Sequence, residues 1–149
     1  MTQRFSFDSN LASASTIPAS WYRDPARLDL EKQKVFRRTW QYAASLDQLR
    51  FPGNYVAVDV VGVPVVLTRD TNGELHAFYN VCRHRAGIVA KGAGNRKTLQ
   101  CLYHGWLYGL DGCLRTTPEF EQVDNFRKVR RWRGFCRCDP RFRPWRGKP

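Results

Sequence analysis

Apolar and polar positions change their period along this chain. Residues 1–19 are rich in Ser, Ala and Asn and show no period, which predicts a mobile N-terminal arm. From residue 20 aromatic mass enters. Trp21 and Tyr22 form a packing anchor, and Phe36 and Trp40 share a face at i, i+4. Asp29 is placed to cap a helix running to about Trp40. Glu31 falls in its first turn and Arg37 and Arg38 in its last, where the helix dipole favours each sign. Residues 20–50 are thus expected to form a helical segment.

After Phe51-Pro52-Gly53 the period shortens to two. Tyr55–Val60 and Val63–Arg69 read as strands around a turn at Gly62, with Pro64 near a strand start, where its missing N–H does least harm. Asn72-Gly73 signals a hairpin, and Leu75–Val81 reads as the next strand. Gly92, Gly94 and Asn95 read as a loop. Leu99-Gln100 and Trp106-Leu107-Tyr108 read as extended, with a tight turn at Asp111-Gly112. Short strands at this interval predict a mainly β fold, an antiparallel β-sandwich spanning 51–126 with an N-terminal helix.

Chemistry concentrates between Cys82 and Trp106. Cys82 and His84 form a C-x-H pair, Cys101 and His104 a C-x-x-H pair, and 16 residues separate the two pairs. Two thiolates and two imidazoles point to a metal centre. A [2Fe-2S] cluster with two Cys on one iron and two His on the other needs two loops that each give one of each kind. Cys82 and Cys101 would hold the inner iron, His84 and His104 the outer. A structural Cys2His2 zinc site is the alternative, although zinc pairs usually come as C-x-x-C with H-x-x-x-H. Gly87 and Gly105 follow the ligands closely, where backbone must approach sulfide.

C-R-H-R followed by C-x-Y-H-G-W resembles the Rieske signature of the alpha (large) subunit of aromatic-ring-hydroxylating oxygenases. Ser20-Trp21-Tyr22 through Trp40-Gln41-Tyr42 is similar to that family's N-terminal helix, and Phe51-Pro52-Gly53 to its entry into the Rieske domain. The resemblance covers about residues 17 to 126. It implies a [2Fe-2S] cluster on Cys82, His84, Cys101 and His104. Respiratory Rieske proteins carry a disulfide-forming cysteine in each loop; here those positions are Gly87 and Tyr103. That places the expected potential toward the low end of roughly −150 to +300 mV.

The resemblance also implies partners. An NAD(P)H-dependent reductase, a ferredoxin, or both would supply electrons. The acceptor would be a mononuclear Fe(II) in the oxygenase catalytic domain of a neighbouring subunit. This chain has three histidines, and the third, His76, reads as an ordinary strand residue. No mononuclear site can be built from it, so the chain alone is expected to transfer electrons and oxygenate nothing. A stand-alone Rieske carrier is the alternative; the helical N-terminus speaks against it.

Composition adds the tail and the compartment. The 149 residues suffice for one domain with a real core. Net charge is +12, and 10 of the 25 basic residues fall in 127–149, beside the single acid Asp139. Trp132-Arg133-Gly134-Phe135 is the last echo of the family pattern. Residues 127–149 are read as an aberrant Arg/Pro-rich tail on a truncated frame, with the catalytic domain absent. Basic residues interleaved with aromatics also meet the composition rule for nucleic-acid binding, but out-of-frame GC-rich sequence yields the same composition, and that reading is preferred. Cys113, Cys136 and Cys138 are odd in number, and no secretory h-region or 18-residue apolar run exists. A cytoplasmic protein without a membrane anchor is expected. Arg83 and Arg85 flank His84 as solvated charge or as docking residues; Trp106 is read as core and Cys113 as a plain thiol.

Overall fold

The computed structural model describes residues 5–120 and 123; the tail reading at 127–149 and the first four residues of the arm lie outside them. The described chain falls into two compact units divided between Trp40 and Gln41.

In the first unit, helix α1 spans Pro25–Lys34, not Asp29 to Trp40. Asp24 is its cap: the side chain accepts the Ala26 amide at 3.0 Å, and Pro25 sits where no N–H is needed. The Asp-Pro pair starts the helix a full turn before Asp29. It stops at Lys34, and Phe36–Arg38 forms a separate 3-10 turn, so Phe36 and Trp40 do not share one helix face. The Thr39 hydroxyl donates to the Val35 carbonyl at 3.1 Å, a local bond that competes with the helical ladder. Trp21 is the anchor of this unit. The Arg27 guanidinium lies 3.8 Å over its ring, and Phe5 meets its edge.

The second unit is built on seven strands: β1 (Asn54–Val60), β2 (Val63–Arg69), β3 (Leu75–Tyr79), β4 (Ala93–Asn95), β5 (Thr98–Gln100), β6 (Leu107–Gly109) and β7 (Leu114–Thr116). They make two antiparallel sheets, one in the order β3-β2-β1-β4 and one in the order β5-β6-β7. The fold is mainly antiparallel β with an N-terminal helix. The stretch expected as a loop at Gly92–Asn95 contributes β4, which pairs Gly94 with Tyr55 and Asn95 with Asn54. Gly94 leaves room for the Tyr55 ring, which a Cβ there would meet at 3.2 Å.

One core joins the sheets. Tyr55, Val66 and Phe78 come from the first and Leu99 and Tyr108 from the second, with Cys82, Cys101 and Trp106 in the same cluster. The Thr68 hydroxyl donates across it to the Leu110 carbonyl at 2.7 Å. The paired loops that carry the Cys and His residues therefore grow out of the packed centre of the sandwich.

Candidate metal centre

Cys82 lies three residues past β3, and Cys101 follows β5 directly. The two loops repeat one hydrogen-bond pattern. The Cys82 amide donates to the Gly87 carbonyl at 2.7 Å, and the Ala86 amide to the Cys82 carbonyl at 2.9 Å. In the second loop the Cys101 amide donates to the Trp106 carbonyl at 2.9 Å, and the Gly105 amide to the Cys101 carbonyl at 3.1 Å. The residue four past each cysteine has a positive φ, 54° at Ala86 and 73° at Gly105. The loops meet where the Leu102 amide donates to the Ile88 carbonyl at 3.3 Å. A Cβ on Gly87 would lie 3.0 Å from the Cys101 sulfur, so any side chain there would push the loops apart by a few tenths of an ångström.

All four predicted residues converge. Cys82 and Cys101 are each 3% exposed, and their thiols touch. The rings of His84 and His104 stand 4.5 Å apart. His84 stacks on Trp106 at 4.8 Å with 8° between planes, and Phe120 meets its edge at 5.3 Å. His104 stacks on Tyr103 at 3.8 Å. Tyr103 and Leu102 are exposed beside His104, as Arg83 and Arg85 are beside His84. Trp106 is core, as expected.

The electrostatics suit a cation. Burial pushes the Cys82 thiol up, and the neighbouring Cys101 adds to this; a hydrogen bond from Tyr108 opposes them. Two touching buried thiols do not both ionise without a positive centre between them. Burial, then His104 and Arg85, lowers the His84 pKa against the pull of Glu119, favouring the neutral imidazole that ligates metal. His84 Nδ1 is buried without a hydrogen-bond partner among the described residues. Soft sulfur donors on one side and paired imidazoles on the other fit a [2Fe-2S] cluster better than zinc.

Two further residues contact these loops. Tyr108, 1% exposed, places its hydroxyl 3.2 Å from the Cys82 sulfur and accepts the Arg83 amide at 3.1 Å. Asn80 holds the neck of the first loop; a buried Asn in the apolar run Ala77–Val81 was the one clue. His76 joins no such site. Its Nε2 lies 3.0 Å from Asp70 Oδ2, and its ring stacks on Phe78. Glu74 lies beside that pair, but both Asp70 oxygens are already engaged, by His76 and by the amides of Asn72 and Glu74. Cys113 lies on the β6–β7 turn and forms no disulfide among the described residues.

Residues 39–127 match the Rieske [2Fe-2S] domain. The chain therefore belongs to the Rieske [2Fe-2S] family and takes that family's cofactor. Its relatives define the branch. It is 44% identical over 112 residues to choline monooxygenase of Spinacia oleracea, covering 75% of this chain and 26% of that one. It is 38% identical over 121 residues to the oxygenase subunit of carnitine monooxygenase of Escherichia coli K12, covering 80% and 32%. A solved quaternary ammonium Rieske monooxygenase superposes with a TM-score of 0.68 at 32% identity over 74% of this chain and 31% of that one. The domain is similar to the Rieske domain of these oxygenases, and the chain spans about a quarter to a third of the curated relatives' length. No helix among the described residues is long and apolar enough to cross a membrane.

Proposed function

We propose that this domain, residues 51–126, is the electron relay of a Rieske oxygenase. It takes electrons that originate from NAD(P)H, through a reductase or a ferredoxin, and passes them to a mononuclear non-haem iron in the oxygenase domain of a neighbouring subunit. The observation that carries this reading is the convergence of two buried thiols and two imidazoles on paired loops. Cys82, Cys101, His84 and His104 are the ligands. When bound, a [2Fe-2S] cluster supplies reversible one-electron transfer.

The chain's own residues divide the work around it. Cys82 and Cys101 face the core and keep water from the sulfur side. His84 is enclosed by Trp106 and Phe120. His104 lies under Tyr103, which is 62% exposed, next to Leu102, 65% exposed. An apolar rim of this kind favours close docking of an electron partner, because it sheds water readily. His104 is therefore the outlet. The relatives named for choline and carnitine support a quaternary ammonium compound as the substrate class of the oxygenase this domain serves.

The test is analytical. The purified chain should contain iron and acid-labile sulfide in equal amounts and accept one electron. His104→Cys should retain iron but lower the midpoint potential, since a thiolate adds negative charge. An unchanged potential would remove His104 from the ligand set, and zinc in place of iron would defeat the relay reading.

A further inference from the structure

Asn80 makes a contact set that the four ligands do not require. It is 4% exposed and stands two residues before Cys82. Its carboxamide forms three hydrogen bonds, all to the chain returning from the first ligand loop. Oδ1 accepts the amides of Val89 at 3.2 Å and Ala90 at 2.9 Å, and Nδ2 donates to the Ala90 carbonyl at 2.7 Å. One side chain thus satisfies both backbone groups of Ala90, as a neighbouring strand would. The Asn80 amide meanwhile donates to the Pro64 carbonyl on β2 at 2.8 Å. The first loop is closed at its neck and fixed to the sheet.

The grip extends to the second loop. Ile88, next to Val89, gives its carbonyl to the Leu102 amide, and Leu102 follows Cys101. Asn80 therefore stands at the root of a chain of bonds running from β2 through 88–90 to the second cysteine. An aspartate of the same shape has no donor for the Ala90 carbonyl and would bury a charge. An apolar isostere would leave three backbone groups unsatisfied.

We propose that Asn80 is a positioning residue for the metal centre, fixing the separation of the Cys82 and Cys101 loops and so holding the cluster in place. This rests on the relay reading above. The test compares Asn80→Asp and Asn80→Ser with Thr68→Val in the full chain carrying its cluster. Thr68→Val deletes a buried bond whose acceptor, the Leu110 carbonyl, belongs to neither ligand loop. The readouts are iron release to a chelator well below the unfolding temperature, the electron paramagnetic resonance (EPR) g values of the reduced protein, and thermal unfolding.

Asn80→Asp should release iron about 10- to 100-fold faster, the usual penalty for losing a partner behind the ligands, with shifted g values. Thr68→Val should lower the unfolding temperature and leave both unchanged. Wild-type g values and a release rate matching Thr68→Val would make Asn80 merely structural and overturn the proposal. A measurement on the wild-type protein needs no variant to fold. In deuterated water the Val89 and Ala90 amides should exchange no faster than iron is lost; free exchange with the cluster in place would overturn it equally. Iron absent from the wild-type protein would overturn the relay reading and this one together. Iron present but indifferent to Asn80 would overturn this one alone.

Discussion

Tyr108 carries the sharpest consequence of any single side chain here. Its hydroxyl takes the Arg83 amide, leaving its proton for the Cys82 sulfur 3.2 Å away. Burial and that sulfur contact raise the phenol's pKa, so it remains a donor throughout the working pH range. A donor on a ligating sulfur favours the more negative, reduced state. Tyr108→Phe should therefore lower the midpoint potential by tens of millivolts, about 59 mV being a tenfold change for one electron. A redox titration against wild type measures it; a rise would reverse the assigned direction of the bond. Cys82, His84, Cys101 and His104 were legible in the sequence because each pair is local, two or three residues apart. Tyr108 was not, because its partner lies 26 residues back, across the core. Asn80 was hidden because its partners are backbone groups nine and ten residues on, which no side-chain motif marks.

Among the elements, two hairpins store contrasting chemistry. The β1–β2 turn uses Val61 and Gly62, both at positive φ, 56° and 79°. A β-branched residue is costly there, and Asn-Gly is the favoured pair. Val61→Asn should stabilise the protein by about 1 kcal/mol, read as a higher urea midpoint at constant slope. The β2–β3 hairpin is pinned by Asp70. Burial alone would raise its carboxyl, but the His76 ring and the amides of Glu74 and Asn72 outweigh it and hold it below the ordinary value. The carboxylate's contribution is then complete above its unfolded pKa of about 3.9 and lost as pH falls through the lower native value. Asp70→Asn should cost about 1–2 kcal/mol at pH 7, with the difference from wild type shrinking in acid. A difference independent of pH would show that ionisation is not what pins the turn.

Strands β1, β2 and β3 were readable because alternation and turn residues agree over five to seven positions. The helix start was misplaced because Asp29 sits in a capping-like context, whereas Asp24-Pro25 carries the stronger pairing of cap and fixed φ. Strand β4 was missed because its glycine is selected by the space over the Tyr55 ring, a contact formed only once the sheet assembles.

For the whole molecule, the metal centre and the core are one structure. Cys82 and Cys101 pack with residues of both sheets, so loss of a metal held by them is expected to loosen that core. Cys101→Ser should abolish the visible iron–sulfur spectrum and lower the unfolding temperature by more than a surface substitution does, because metal binding and folding are coupled. A serine variant with an intact spectrum would move the ligand assignment elsewhere. Motif spacing located the site but not this coupling, which depends on two loops from different sheets meeting at Gly87.

The most direct test is pulsed EPR of the reduced, isotopically natural protein, resolving nitrogen couplings to the metal centre. The account predicts a [2Fe-2S] signal with two histidine nitrogens bound to one iron, each coupling lost separately in His84 and His104 variants. A signal without nitrogen couplings, or a protein that holds zinc and gives no signal, would contradict it.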